Sequence, residues 1–211
     1  MSLISLIHPS RGRPQKSVEN SRLWMMMSGV PTELIPSLDQ DDPYLSEYLK
    51  VYRGAVVGEN DCVVQATNRA AAQASGDILV YLSDDFACFS NWGKTIEAEF
   101  KKYNGPTLIK VDDCLQPFHV KVLTIPIMNR ECYKKLGYFF HPGYKSMFVD
   151  EHLYHRANKL GMLKFAPHLK FEHKHVSVGK SKNDETYMRS AANWNQGKAK
   201  FEEHKRMGFT V

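Results

Sequence analysis

The sequence predicts an α/β fold, with a mixed, mainly parallel sheet flanked by helices and a C-terminal helix. Three observations carry this expectation. Short continuous apolar runs such as "LISLIH" and "DILVYL" have the length of strands buried on both faces. Segments of helical periodicity separate them, which is the alternation that builds a parallel sheet. Polar clusters follow the first, second and fourth of these strands directly, at the carboxyl ends where such sheets bind ligands.

Leu3–His8 reads as the first strand, and Pro14 suits the opening turn of a helix over Gln15–Ser28. Thr32–Leu38 is the second strand, ending at "DQDD", and Arg53–Gly58 is the third. Val63, Thr67, Ala70, Ala71 and Ala74 fall on one helical face, and Gly76 is expected to terminate that helix. The fourth strand, "DILVYL", runs into "SDD", after which Ser90 or Asn91 can cap a helix reaching about Tyr103.

The second half is less regular. "TLIKVDD" and "VLTIPIMN" read as strands, "RECYKKLG" as a short helix closed by Gly137, and "SMFVDEHLYHRANKLG" as a longer one closed by Gly161. "MLKFAPHLKFEHKH" reads as a strand or hairpin broken by Pro167, and "VSVGKSKND" as a lysine-rich loop. The segment from Asp184 to Met207 is expected to be one helix with Tyr187, Ala191, Trp194 and Phe201 on a stripe. No linker divides the chain, so residues 1–211 are expected to form a single domain.

A chain of 211 residues with 43% hydrophobic and 24% charged residues can bury a sizeable core and has ordinary globular composition. No apolar run approaches the roughly 20 residues that span a bilayer. The opening "MSLISLIHPSRGRP" lacks the basic start and long apolar run of a signal peptide. Cys62, Cys88, Cys114 and Cys132 lack CxxC spacing, which favours reduced thiols over disulfides or zinc. A cytoplasmic protein is the expectation. The net charge of +5 suits an anionic partner such as a nucleotide, a phosphorylated lipid or a nucleic acid, although surface lysines alone would also produce it.

Asp84 and Asp85 pose the sharpest chemical question. Adjacent carboxylates at the end of a buried strand repel, and desolvating them is costly unless something positive compensates. A hard divalent cation, Mg²⁺ or Mn²⁺, would do so; a solvated turn is the alternative. Asp150 lies at the centre of an apolar helical face with Met147, Leu153, Tyr154, Ala157 and Leu160, whereas Glu151 lies on its flank. A carboxylate facing that way suits a general base, although a first-turn acid also complements the helix dipole. "FEHKH" puts His173 and His175 on one side of an extended segment, and either, His173 before His175, is a candidate metal ligand. "HPSRGRP" offers backbone N–H groups with Ser10, Arg11 and Arg13 for phosphate, but not the glycines of a dinucleotide fingerprint or a P-loop. Asp39 follows the second strand, where a carboxylate can accept from a base or a ribose hydroxyl, or cap a turn.

Taken together, "ISLIHPSRGRP", "NRAAAQASGDILVYLSDD", "FVDEHLYHR" and "FEHKHVS" resemble the family 2 type of GT-A-fold (Rossmann-like) glycosyltransferase over roughly Leu3 to Ser177. The resemblance implies an inverting, metal-dependent transfer from a nucleoside-diphosphate-sugar, with UDP as the expected nucleotide, to an acceptor hydroxyl. It implies that Pro9, Ser10, Arg11, Arg13, Asp39, Asn68 and Asp84 serve the nucleotide, Asp84 meeting the ribose or the metal, that Asp85 and His173 hold Mn²⁺ or Mg²⁺, and that Asp150 is the base. Asp150, Leu153 and Arg156 keep the spacing of the family's acidic helix. Residues 1–90 would be the nucleotide-sugar half, 91–180 the acceptor and catalytic half, and 184–207 a C-terminal helix. Lys180 and Lys182 could close over the diphosphate. Two positions depart from the pattern: Ser83 stands at the first acidic position of the DxD motif, and Val149 precedes Asp150.

A sugar-phosphate nucleotidyltransferase and a non-catalytic nucleotide- or polyanion-binding module are the alternatives. The first normally has a longer Gly-rich loop than "HPSRGRP", and the altered DxD motif favours the second. The acceptor would be a glycan, a lipid-linked sugar or a modified nucleic-acid base, and nothing excludes an oligomer. Trp92, Tyr138, Phe139 and Phe140 are candidate sugar-stacking rings, with core packing as the competing role.

Overall fold

Strand β1 (Ile4–Ser10) is buried along its whole length and lies in the interior of the sheet, paired on both edges. The computed structural model describes residues 2–59, 62–181 and 184–210. After β1 come α1 (Pro14–Met27), β2 (Thr32–Asp39), α2 (Leu45–Leu49), β3 (Val56–Gly58), α3 (Val63–Gln73), β4 (Ile78–Tyr81), β5 (Phe86–Ala87) and α4 (Trp92–Phe100). The second half holds β6 (Leu108–Asp112), β7 (Ile127–Asn129), α5 (Arg130–Leu136), α6 (Val149–Lys159), β8 (Leu163–Lys170), β9 (Glu172–His173), a 3₁₀ turn at Val176–Val178, α7 (Glu185–Ala191) and α8 (Trp194–Arg206).

The main sheet has the order β3-β2-β1-β4-β7-β6-β8. Among these strands β7 alone runs against its neighbours, pairing antiparallel with β4 and β6, while the other pairings are parallel. The sheet is therefore mixed and mainly parallel, as the apolar runs predict. Successive residues of the central strands enter opposite core layers, as strand geometry requires. Ile7, Leu79 and Leu108 pack towards α3, α5 and α6, whereas Leu6, Val80 and Ile109 pack towards α1 and α4. Trp24 and Trp92, both fully buried, anchor the second layer: Trp92 Nε1 donates to the Trp24 carbonyl, and Trp24 stacks on Phe171.

Several local expectations are corrected. Helix α3 ends at Gln73, and Ala74 already turns extended. Gly76 serves close packing rather than helix termination, because a Cβ there would lie 2.5 Å from Ser5 Oγ and 2.7 Å from the Leu3 carbonyl. Asn91 sits at the N-cap of α4 in the left-handed region, with no side-chain capping bond. Pro167 does not break its strand; β8 runs through it along β6, and the pairing register shifts between Val111 and Asp112. Helix α6 starts at Val149, so Met147 lies before it. The tail is two helices, split at Ala192–Asn193, so its expected stripe divides: Phe201 is buried, while Trp194 is 50% exposed. Gly137 and Gly161 close α5 and α6 with positive φ, as read from the sequence.

Among the described residues, no helix is long and apolar enough to cross a membrane.

Candidate active site

A cavity of about 450 Å³ opens beyond the carboxyl ends of β1, β2 and β4 and is closed on the far side by α6, the segment after β9, α7 and the start of α8. Pro9, Ser10, Arg11, Arg13, Asp39, Asp84, Asp85, Asp150, His173 and His175 all line it. Sequence positions more than 160 residues apart therefore converge on one concavity. Asn68 does not reach it. Its Oδ1 accepts from the backbone N–H groups of Phe139 and Phe140 and its Nδ2 donates to the Phe140 carbonyl, so the side chain is committed to holding that loop.

The adjacent aspartates are compensated separately, because their side chains diverge. Asp84 turns towards the end of β1: Ser10 Oγ donates to its carboxylate at 3.0 and 3.1 Å, His8 Nε2 lies at 3.6 Å and Arg13 at 4.0 Å. Burial nevertheless raises the Asp84 carboxyl above its usual range, against the pull of His8 and Arg13. Asp85 turns the other way, towards β9. The two-residue pairing of β5 with β9 sets Phe86 opposite His173, which brings His173 Nε2 to 3.3 Å from Asp85 Oδ2. The Tyr187 hydroxyl donates to the same oxygen. Burial opposes ionisation of Asp85, but His173 and the hydrogen bonds outweigh it and hold the carboxyl well below the usual range. Asp85 Oδ1 and His173 Nδ1 are buried without a hydrogen-bond partner.

A carboxylate oxygen left unpaired inside the protein is costly, and so points to a missing cation. Carboxylate and imidazole suit Mn²⁺ or Mg²⁺ when phosphate oxygens complete the shell. Among the described residues no group of three or more His, Cys, Asp and Glu side chains is arranged to hold a metal ion. Asp85 and His173 could thus supply only part of a coordination sphere. His175 meets the His173 and Tyr187 rings edge-on, and its Nδ1 accepts from the Ser177 backbone N–H.

The arginines at the end of β1 are already engaged. Arg11 bonds Asp39 at 3.0 Å and Asp41 at 2.6 Å, and Arg69 lies 3.7 Å from the other oxygen of Asp39. Asp39, 1% exposed, is thereby fixed on the cavity wall. Arg13 makes a two-pronged pair with Asp184, both bonds 2.7 Å, and its guanidinium lies over the Tyr187 ring. Thr186 adds a bond to the Arg11 carbonyl, so α7 is tied to the end of β1.

Asp150 enters from the opposite wall, in the first turn of α6. Phe148, just before the helix, has φ of +69°, a conformation non-glycine residues seldom adopt. From there Val149, His152 and Leu153 turn into the core, while Asp150 stays half-buried at the cavity. Burial raises its carboxyl, and Asp113 adds to the effect, against a bond from the Glu151 backbone N–H to Oδ1. Of the other residues in that spacing, Leu153 is core and Arg156 donates to the Phe209 carbonyl.

Two residues of the site escaped the sequence reading in this role, Tyr187 and Trp194. Both were visible as aromatics in a helical tail, but only the tertiary docking of α7 and α8 brings them to the cavity. Conversely, Trp92 and Phe139 are buried away from it, Tyr138 packs on His141, and Phe140 contributes only a buried part of the wall. Lys180 pairs with Glu172 at 2.6 Å instead of facing the cavity, and Lys182 lies outside the described residues.

No protein-family model matches the chain, and no curated protein matches its sequence. Solved structures do match. The mannosyltransferase PcManGT from Pyrobaculum calidifontis, in complex with GDP-Man and Mn²⁺, superposes with a TM-score of 0.65 at 10% identity, over 97% of this chain and 75% of that one. S. aureus TarS 1–349 gives 0.63 at 11% identity, over 98% and 73%. TarS 1–349 in complex with UDP-GlcNAc gives 0.60 at 13% identity, over 90% and 61%. The fold is the GT-A fold. Likeness at this level of identity carries the architecture and agrees with the resemblance read from the motifs. A further S. aureus TarS structure matches 97% of this chain, which covers 43% of that one.

Proposed function

We propose that the protein is a metal-dependent, inverting glycosyltransferase that moves a sugar from a nucleoside-diphosphate-sugar, UDP being the expected nucleotide, to an acceptor hydroxyl. The observation that carries this reading is the pairing, within one cavity, of the unpartnered Asp85 Oδ1 beside His173 with a half-buried carboxylate, Asp150, on the far wall. Nucleotide-sugar complexes of similarly folded proteins support it, one of them with Mn²⁺.

Residues 1–90 supply Asp39 and the end of β1, a wall suited to base and ribose. Residues 91–180 supply Asp150 and His173, and the C-terminal helices from 184 to 207 cover the opening. Asp85 and His173 would hold Mn²⁺ or Mg²⁺. When bound there, the cation would neutralise charge that develops on the leaving diphosphate. Asp150 Oδ1 is engaged by the Glu151 N–H, which leaves Oδ2 to take the proton from the acceptor hydroxyl. The acceptor oxygen then bonds to the anomeric carbon as the bond to the diphosphate oxygen breaks, inverting that carbon in one displacement. A carboxyl pKa raised by burial makes Asp150 a better base than a solvated aspartate. The acceptor is taken to be a glycan, a lipid-linked sugar or a modified nucleic-acid base. A cytoplasmic setting fits the absence of disulfides among the four cysteines.

The test is a thermal-shift panel of nucleotide-sugars with and without Mn²⁺. A Mn²⁺-dependent shift for at least one donor is expected, and Asp85→Ala should remove it. Asp150→Asn should keep the shift and lose turnover by about 10²–10⁴-fold, the usual contribution of a general base. Full turnover in Asp150→Asn would reject Asp150 as the base.

A further inference from the structure

We propose that Trp194 is the stacking platform for a sugar ring of the acceptor, placing the ring's hydroxyl at Asp150. The inference rests on the glycosyltransferase reading above and adds the chemical class of the acceptor at the reacting end of the cavity.

The chain has three tryptophans, and two, Trp24 and Trp92, are fully buried. Trp194 is 50% exposed, and it lines the same cavity as Asp150 and Phe148. Its indole is not loosely placed. The Phe148 ring meets it in a T-shaped contact at 4.8 Å, and Phe148 is the residue from which the chain enters α6 two positions before Asp150. Helix α8 reaches this position because Gly197 lets it close on the preceding segment, where a Cβ would lie 2.4 Å from the Met147 carbonyl. Trp194 and Asp150 are thus mounted on two helices packed together at their starts. A rigid, half-exposed indole beside a candidate base has the features that recognise a pyranose, whose C–H face packs on an aromatic ring while its hydroxyls reach polar neighbours. Asn193 and Ser190 provide such neighbours on the same wall.

The surroundings favour a sugar over a nucleobase of a nucleic acid. Asp150 and Glu151 stand together at this end of the cavity, and burial holds both carboxyls above their usual range. A phosphodiester chain entering here would bring further negative charge to two poorly solvated acids. A sugar ring brings none.

Because Trp24 and Trp92 are buried, acrylamide-quenchable emission reports Trp194 in the intact chain. The protein, with UDP or GDP and Mn²⁺, is titrated with cellotriose, chitotriose, maltotriose and xylotriose, and separately with a ten-residue oligothymidylate. At least one oligosaccharide is expected to lower the quenching constant twofold or more. In saturation-transfer NMR its ring protons should give a signal that falls at least fivefold in Trp194→Ala and is kept in Trp194→Phe. The nucleotide-induced thermal shift should be equal in all three proteins, which shows that the variants fold and bind nucleotide. Protection by none of the oligosaccharides, protection by oligothymidylate alone, or an undiminished NMR signal in Trp194→Ala overturns the platform while leaving the donor reading intact. If neither nucleotide with Mn²⁺ shifts the wild-type melting temperature, the glycosyltransferase reading fails and the platform fails with it.

Discussion

The Tyr187 hydroxyl donates a hydrogen bond to Asp85 Oδ2, the oxygen that also lies 3.3 Å from His173 Nε2. Tyr187 is held there from outside, through the Arg13–Asp184 pair and the Thr186 bond to the Arg11 carbonyl. Burial and the neighbouring Asp85 push its hydroxyl pKa up to about 12, so at neutral pH it remains a donor. Its proton therefore draws on the negative charge of the carboxylate whose other oxygen, Oδ1, is open to a cation.

Tyr187→Phe removes that proton and keeps the ring beside Arg13. A hydrogen bond to a charged group contributes about 1.5–3 kcal/mol, and 1.4 kcal/mol is about tenfold in affinity. Mn²⁺ should accordingly bind the variant roughly tenfold more tightly in the absence of nucleotide, measured by titration of the free Mn²⁺ electron-spin resonance signal. Equal or weaker binding would mean that Tyr187 organises the carboxylate and does not compete for it.

The two carboxylates with opposite shifts should respond oppositely to neutralisation. Asp150 is raised above its ordinary 3.8, mainly by burial, so the native state prefers its protonated form. The stability this gives is present at low pH and is lost as pH rises through the raised value. At pH 7, well above 3.8, burying this carboxyl is therefore a cost to the folded state, and Asp150→Asn relieves it. Asp85 is lowered, so its contribution is present above 3.8 and is lost only as pH falls below that. At pH 7, Asp150→Asn should raise the melting temperature and Asp85→Asn should lower it, by about 2–4 °C for each kcal/mol in a chain of this size. Lowering the pH to 5 should shrink the first difference and leave the second unchanged. Calorimetry at the two pH values reads both, and a destabilised Asp150→Asn at pH 7 would contradict the burial argument.

The strands and the ligand end of the sheet were legible because local signals fix them. Unbroken apolar runs specify burial on two faces, and the polar clusters after them fall at one rim whatever the details of packing. Asp84 and Asp85 could be selected for the same reason, but not their divergence, which depends on Ser10 and His8 on one side and on the β5–β9 pairing on the other. Asn68 misled because a helix carries no sign of which loop it will clamp, and Phe139 and Phe140 are remote in sequence. Gly76 was read by its commonest role, whereas its place is set by contact with Ser5, 71 residues away. Tyr187 and Trp194 carried correct local signals for helix and none for docking. Everything missed in this way depends on contacts between distant segments, which periodicity and capping cannot encode.

The seating of α8 gives a last test, directed at a backbone contact. Gly197 is buried, and a Cβ there would meet the Met147 carbonyl at 2.4 Å and the Phe148 ring at 3.1 Å. The nearest obstacle is backbone in the segment that leads into α6, so it cannot swing aside as a long side chain would. Gly197→Ala must therefore move α8, or the turn at Phe148, or both. Overpacking of this kind costs about 1–3 kcal/mol, and the alanine's better helix propensity returns at most about 1. The melting temperature should fall. The larger consequence is positional, because the displaced residues bracket Asp150 while Asp39, Asp84 and Asp85 sit on the sheet side of the cavity. Nucleotide affinity should stay within about twofold of wild type, and turnover should fall by about 10²-fold, the loss expected when a catalytic group is misplaced by about 1 Å. Unchanged turnover with a lowered melting temperature would show that α8 can move without carrying Asp150 with it.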